Sequence, residues 1–140
     1  MSFPDTVHAV QHRLRALFPA TPLQRNAFLS DRYDAEIYLK REDLSPVRSY
    51  KIRGAFTLMS AILRGAEGSR PDGSNAHFVC ASAGNHAQGF AYACAHFNVP
   101  GTVVMPVTTP QQKIDKTRVF GREFITIKLV GDTFDQSYAA

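Results

Sequence analysis

Val7, Val10, Leu14, Leu17 and Phe18 recur at helical spacing near the start of the chain, a stripe that predicts an amphipathic helix. Asp5-Thr6 precedes the stripe as the expected N-cap, and Pro19 stops it. TPLQRN then reads as loop, and Glu36 to Lys40 (EIYLK) alternates with period two, as a short strand does. Tyr50 to Arg64 returns to helical spacing. Gly54 inside that helix costs about 1 kcal/mol relative to alanine, which suggests a close backbone approach there. The run GAEGSRPDGSN, Gly65 to Asn75, consists almost entirely of turn-forming residues. It is the expected boundary between a first domain, 1–74, and a second, 75–140.

Beyond it the pattern becomes regular. HFVCA (His77 to Ala81) predicts a buried strand, Asn85 to Phe97 a helix, and GTVVMP (Gly101 to Pro106) a second strand. Thr109-Pro110 looks like an N-cap followed by proline at the first helical position, opening a helix that ends at Gly121. EFITIKL (Glu123 to Leu129) predicts a third strand, and Asp132 is the expected cap of a last helix running to Ala140. Strands alternating with helices of this length imply an α/β fold, an open parallel sheet with helices on both faces. The pattern breaks off at Ala140 inside a helix, without a capping glycine, so the expectation is an incomplete fold and a fragment of a longer protein.

Composition changes this picture little. Of 140 residues 44% are hydrophobic and 20% charged, as in ordinary globular domains. The formal net charge of +4 raises nucleic acid as a partner. The lysines and arginines are scattered, however, whereas phosphate-binding patches are clustered; no nucleic-acid partner is expected. Cys80 and Cys94 lie in apolar stretches without metal-ligand or disulfide spacing, which suits buried thiols in a reducing cytosol. MSFPDTVHAV lacks the features of a signal peptide, and no apolar run approaches the roughly 20 residues that span a bilayer. A cytoplasmic protein without a membrane partner is expected.

Two segments carry candidate chemistry. CASAGNHAQG, Cys80 to Gly89, runs from the end of a strand into a helix, and ligands of open α/β sheets bind at such carboxyl ends. Small residues at Ala81, Ser82, Ala83 and Gly84 admit a ligand close to the backbone, and the helix start favours an anion. An ordinary tight turn capped by Ser82 fits the same residues. Only Gly84 and Gly89 match the dinucleotide fingerprint, and no acid ends the next strand. Phe90 after Gly89 rules out a phosphate-binding Walker loop, Ser82 lacks the G-x-S-x-G setting of a nucleophile, and His77, His86 and His96 lack metal-ligand spacing. No metal is expected. The second segment is SYKIRGAF, Ser49 to Phe56. Lys51 at a helix start has its charged form disfavoured by the dipole, and partial burial between Tyr50 and Ile52 would add to this. A neutral amine can condense with a carbonyl. A lysine snorkelling to solvent is the plain alternative.

KREDLSPVRSYKIRGAF, SAGNHAQG and MPVTTPQQKIDKTRVFG, in this order, resemble the pyridoxal-phosphate enzymes of fold type II (tryptophan synthase β-like). Among these they are most similar to the threonine dehydratases (threonine ammonia-lyases) of biosynthetic type. The similarity runs from Thr21 to Asp135. It implies pyridoxal 5'-phosphate as cofactor, a small amino-acid substrate and a homo-oligomer in the full-length form. It makes Lys51 the Schiff-base lysine and proton carrier at the substrate α-carbon, puts Tyr50 against the pyridine ring, and gives Asn85 the cofactor's phenolic oxygen. Ser82, Ala83, Gly84, Asn85 and His86 would hold the substrate carboxylate. Ala83 stands where related serine racemases carry a serine base, which favours elimination over racemisation. The implied reaction is conversion of L-threonine, with L-serine as a further candidate substrate, to the 2-oxo acid and ammonia, the first step of isoleucine biosynthesis. A catabolic serine/threonine dehydratase, a serine racemase and a non-catalytic anion-binding module are the alternatives. The family's glycine-rich phosphate cup and the group facing the pyridine nitrogen lie downstream of residue 140, so an inactive fragment is expected.

Overall fold

The computed structural model describes residues 2–65 and 76–140. They form two compact units, Met1–Tyr50 and Lys51–Ala140. Residues 66–75, most of the run expected to separate two domains, lie outside the described part.

The first unit opens with α1 (Phe3–Leu17), which begins earlier than the apolar stripe indicates. Ser2 is the N-cap, and its side chain and that of Asp5 bond each other's backbone N–H in a capping box. Asp5, expected as the cap itself, is the third helical residue instead. The segment read as loop contains β1 (Leu23–Arg25), paired antiparallel with β2 (Tyr38–Lys40) in the register Leu23↔Lys40. All six residues of this ribbon are exposed, so no burial alternation marks β1 in the sequence. Between them lies α2 (Ala27–Tyr33), capped by the Asn26 side chain, which accepts from Leu29 N–H at 2.9 Å. A short 3-10 turn, Glu42–Leu44, follows β2. Thr21 ties it down by donating to Glu42 Oε1 at 2.6 Å.

The second unit begins with α3 (Lys51–Leu63) and continues β3 (Phe78–Ala81), α4 (Asn85–Phe97), β4 (Gly101–Met105), α5 (Gln111–Gly121), β5 (Ile125–Leu129) and α6 (Phe134–Ala139). The three strands are parallel in the order β3-β4-β5. Partners in the register share a face, which puts Cys80, Val103 and Ile127 on one side and Val79, Thr102 and Thr126 on the other. The first face carries the core, where Cys80, Val103 and Met105 meet Ala87, Phe90 and Cys94 of α4, Ile114 of α5, and Ala55 and Met59 of α3. β4 is buried along its whole length. β3 is not the buried strand its apolar sequence suggests: it lies at the sheet edge, and Val79 on the second face is 67% exposed.

Two expected caps are also corrected. Thr109 does not cap α5, because its hydroxyl donates back to Pro106 O at 2.7 Å, and α5 begins one residue beyond Pro110. Thr133, not Asp132, caps α6, accepting from Gln136 N–H while the Gln136 side chain returns to the cap. The α6 helix lies against β4 and β3.

Candidate active site

β3 ends at Ala81 and α4 starts at Asn85, so Ser82-Ala83-Gly84 is a three-residue turn at the carboxyl edge of the sheet. Ser82 N–H extends the ladder to Val104 O at 3.1 Å. Its hydroxyl accepts from Gly84 N–H at 3.3 Å, which closes the turn. Gly84 holds the N-cap position and offers no side-chain acceptor to the first turn of α4. The leading N–H groups of a 13-residue helix are thereby left to an outside anion. A side chain at Gly84 would meet no protein atom within 4 Å, so there is open space in front of the turn. Asn85 and His86 are exposed beside it, and Ser82 and Ala83 are half-buried.

Lys51 is the first residue of α3, as its position in the sequence pattern indicates. What brings it to the turn is Gly89, one turn into α4. A Cβ at Gly89 would lie 2.9 Å from Ile52 N and 3.0 Å from the Lys51 carbonyl carbon. The start of α3 is therefore pressed backbone-to-backbone on α4. The charge of Lys51 reaches the turn as well: the His86 imidazole has its pKa lowered, first by desolvation and then by the Lys51 ammonium. Lys51 itself is exposed, which corrects the expectation of partial burial; its neighbour Ile52, fully buried, anchors the helix instead. Tyr50, last residue of the first unit, is 59% exposed.

This pairing of a lysine-bearing helix start with a small-residue turn coincides with a family match. The match to the family described as pyridoxal-phosphate dependent enzyme covers residues 15–140. The chain belongs to that family. Among its relatives, this pyridoxal-phosphate enzyme chain is 52% identical over 118 residues to the biosynthetic L-threonine dehydratase of Halalkalibacterium halodurans, covering 84% of itself and 27% of that protein. It superposes on the processed form of threonine deaminase isoform 2 from Solanum lycopersicum with a TM-score of 0.70 and 42% identity, over 84% of this chain and 30% of that one. For the T.th. threonine deaminase the TM-score is 0.79 at 28% identity, over 99% of this chain and 40% of that one. The chain thus spans about a quarter to two-fifths of the length of these relatives. Its sheet is the fold type II sheet that the sequence resemblance implies, in part.

The residues present suit the cofactor. The open space at Gly84, the uncapped helix start and the exposed Lys51 and Asn85 side chains leave room and partners for a planar, anionic aldehyde. Among the described residues no helix is long and apolar enough to cross a membrane, and no group of three or more His, Cys, Asp or Glu could hold a metal.

Gly89 is the site residue that sequence reasoning misassigned. The close backbone approach was expected at Gly54, yet a side chain there would meet nothing within 4 Å. Both glycines interrupt helices, but only Gly89 has a second helix against it.

Proposed function

We propose that the full-length protein containing this chain is a pyridoxal-phosphate-dependent threonine ammonia-lyase, converting L-threonine to 2-oxobutanoate and ammonia. The observation that carries the reading is the contact at Gly89, which holds the start of α3 beside the Ser82–His86 turn. The identity to proteins named for this activity supports it.

When bound, pyridoxal phosphate supplies the electron sink that lowers the barrier to removing the α-proton. Lys51 would hold the cofactor covalently and then carry the proton at the substrate α-carbon. Asn85 would donate its amide to the cofactor's phenolic oxygen and, being neutral, would add no titrating proton there. The first N–H groups of α4, with Ser82, Gly84 and His86 around them, bind the substrate carboxylate and fix its orientation. Partial desolvation and the Lys51 charge favour the neutral form of His86, so it enters the site as a hydrogen-bonding group. Ala83 offers no side-chain base, so no second proton carrier stands at that position, and loss of the β-hydroxyl as water is the favoured outcome. Tyr50 would pack on the ring. By the same resemblance, the full-length protein would be a cytoplasmic homo-oligomer in which residues 1–74 are the N-terminal part of the large cofactor domain and residues 75–140 make up most of the small domain.

The test uses the full-length protein. Lys51→Ala is expected to lose covalent retention of pyridoxal phosphate after borohydride reduction, read by mass spectrometry, and to lower 2-oxobutanoate formation from L-threonine to background. Undiminished turnover in that variant would falsify the assignment.

A further inference from the structure

A second concave site lies at the other end of α4. A cavity of about 270 Å³ is lined by Tyr92, Ala95, His96, Phe120 and Arg122. His96 is 11 residues beyond Asn85 on one straight helix, about 16 Å away at 1.5 Å per residue, so the two sites do not overlap. The volume lies just below the range of drug-sized ligand pockets, about 300 to 1,000 Å³, so the site would take a ligand of about one ring.

The walls are aromatic and held in place. Tyr92 meets Phe120 edge-on with ring centroids 6.4 Å apart. The His96 ring is set by edge contacts to Phe56 at 5.2 Å and to Phe97 at 5.0 Å. Arg122, exposed like His96, brings a positive charge to the lining. Among the described residues its guanidinium has no acidic partner; the carboxylate beside it in the chain, Glu123, is exposed.

The backbone at Arg122 is the second observation. It sits at φ 52°, ψ −138°, the conformation of the first central residue of a type II′ turn, where glycine dominates. The preceding Gly121 is required by packing, since a Cβ there would lie 2.1 Å from Ile125 Cγ1 and 3.2 Å from Ala91 Cβ. The turn thus has two positions suited to glycine and fills one of them with arginine. Strain kept at a small cavity points to a use for the side chain.

We propose that this cavity is a second binding site, for a small aromatic carboxylate, whose charge pairs with Arg122 and whose ring lies among Tyr92, Phe120 and His96. Arginine matches a carboxylate with two parallel N–H donors. The ring walls give such a ligand an advantage over acetate.

Benzoate is the probe, titrated into the isotopically labelled 140-residue chain and followed by amide NMR, with acetate and benzyl alcohol as controls. Saturable shifts at Tyr92, His96, Phe120 and Arg122 are expected for benzoate, with affinity at least tenfold above either control. Arg122→Gln should weaken benzoate at least tenfold without shifting the Ser82–His86 amides. Arg122→Gly should weaken it equally while raising the urea midpoint, because the turn strain is relieved. Benzyl alcohol binding as well as benzoate, benzoate shifts confined to the Ser82–His86 turn, or undiminished benzoate affinity in Arg122→Gln would each overturn the proposal.

Discussion

His86 reports on Lys51 because the two helix starts are held together. Its pKa lies below the ordinary histidine value, through partial desolvation of the ring first and the Lys51 charge second, although the residue as a whole is exposed. The folded chain therefore resists a proton that the unfolded chain accepts near pH 6.5. The resulting stability is fully present above that pH and is lost as pH falls toward the folded pKa. The urea midpoint should thus fall between about pH 7.5 and pH 5, and by less in His86→Asn than in the parent chain. Lys51→Met should raise the His86 pKa measured by NMR yet leave it below the free value, since the partial desolvation persists. On the role proposed for Asn85, Asn85→Ala in the full-length protein would remove a hydrogen bond to a charged group, about 1.5–3 kcal/mol, or roughly ten- to a hundredfold in turnover. The thiols behave differently: burial pushes Cys80 up to about 11, and burial with the neighbouring Cys80 pushes Cys94 up to about 12. Iodoacetamide should leave both unlabelled in the native chain and label both in urea.

Between elements, the α3–α4 contact is the one that positions the site, and two glycines test it in opposite directions. Gly89→Ala puts a methyl 2.9 Å from the Ile52 backbone nitrogen, where no flexible side chain can yield. Overpacking of this kind costs about 1–3 kcal/mol and should move the Lys51 and Ile52 amide resonances. Gly54→Ala adds a methyl into open space on an exposed helix position. It should stabilise by about 0.5–1 kcal/mol. Urea denaturation of the two variants measures both signs, and a destabilised Gly54→Ala would contradict the open space seen there.

For the whole molecule, the second compact unit starts at Lys51. Its core takes Ala55 and Met59 from α3, and Phe56 stacks on Phe97 at 4.9 Å. A piece covering residues 51–140 should therefore unfold cooperatively, whereas residues 77–140 alone should lose cooperativity and bind a hydrophobic dye through the uncovered side of α4. Equal cooperativity of the two pieces would show that α3 is dispensable to the core.

Much of the second unit was legible in the chain. Asn85 to Phe97 is a helix with those very bounds, the strands at Gly101 and Glu123 appear within a residue or two, and α5 ends at Gly121. These are long segments whose periodicity reports burial on one face, and burial is a property that residue type encodes. Lys51 at a helix start and the Ser82–His86 turn at a strand end were equally readable, because motif and local structure coincide there. The tertiary structure alone decided the rest. β1 exists because its backbone pairs with β2, a partnership that six exposed side chains do not announce. Val79 is exposed because its strand lies at the sheet edge. Gly89 and Gly54 look alike as helix interruptions, and only the docking of α3 on α4 makes one of them indispensable. Local sequence encodes which face of an element is apolar; which other element arrives at that face depends on contacts between residues far apart in the chain.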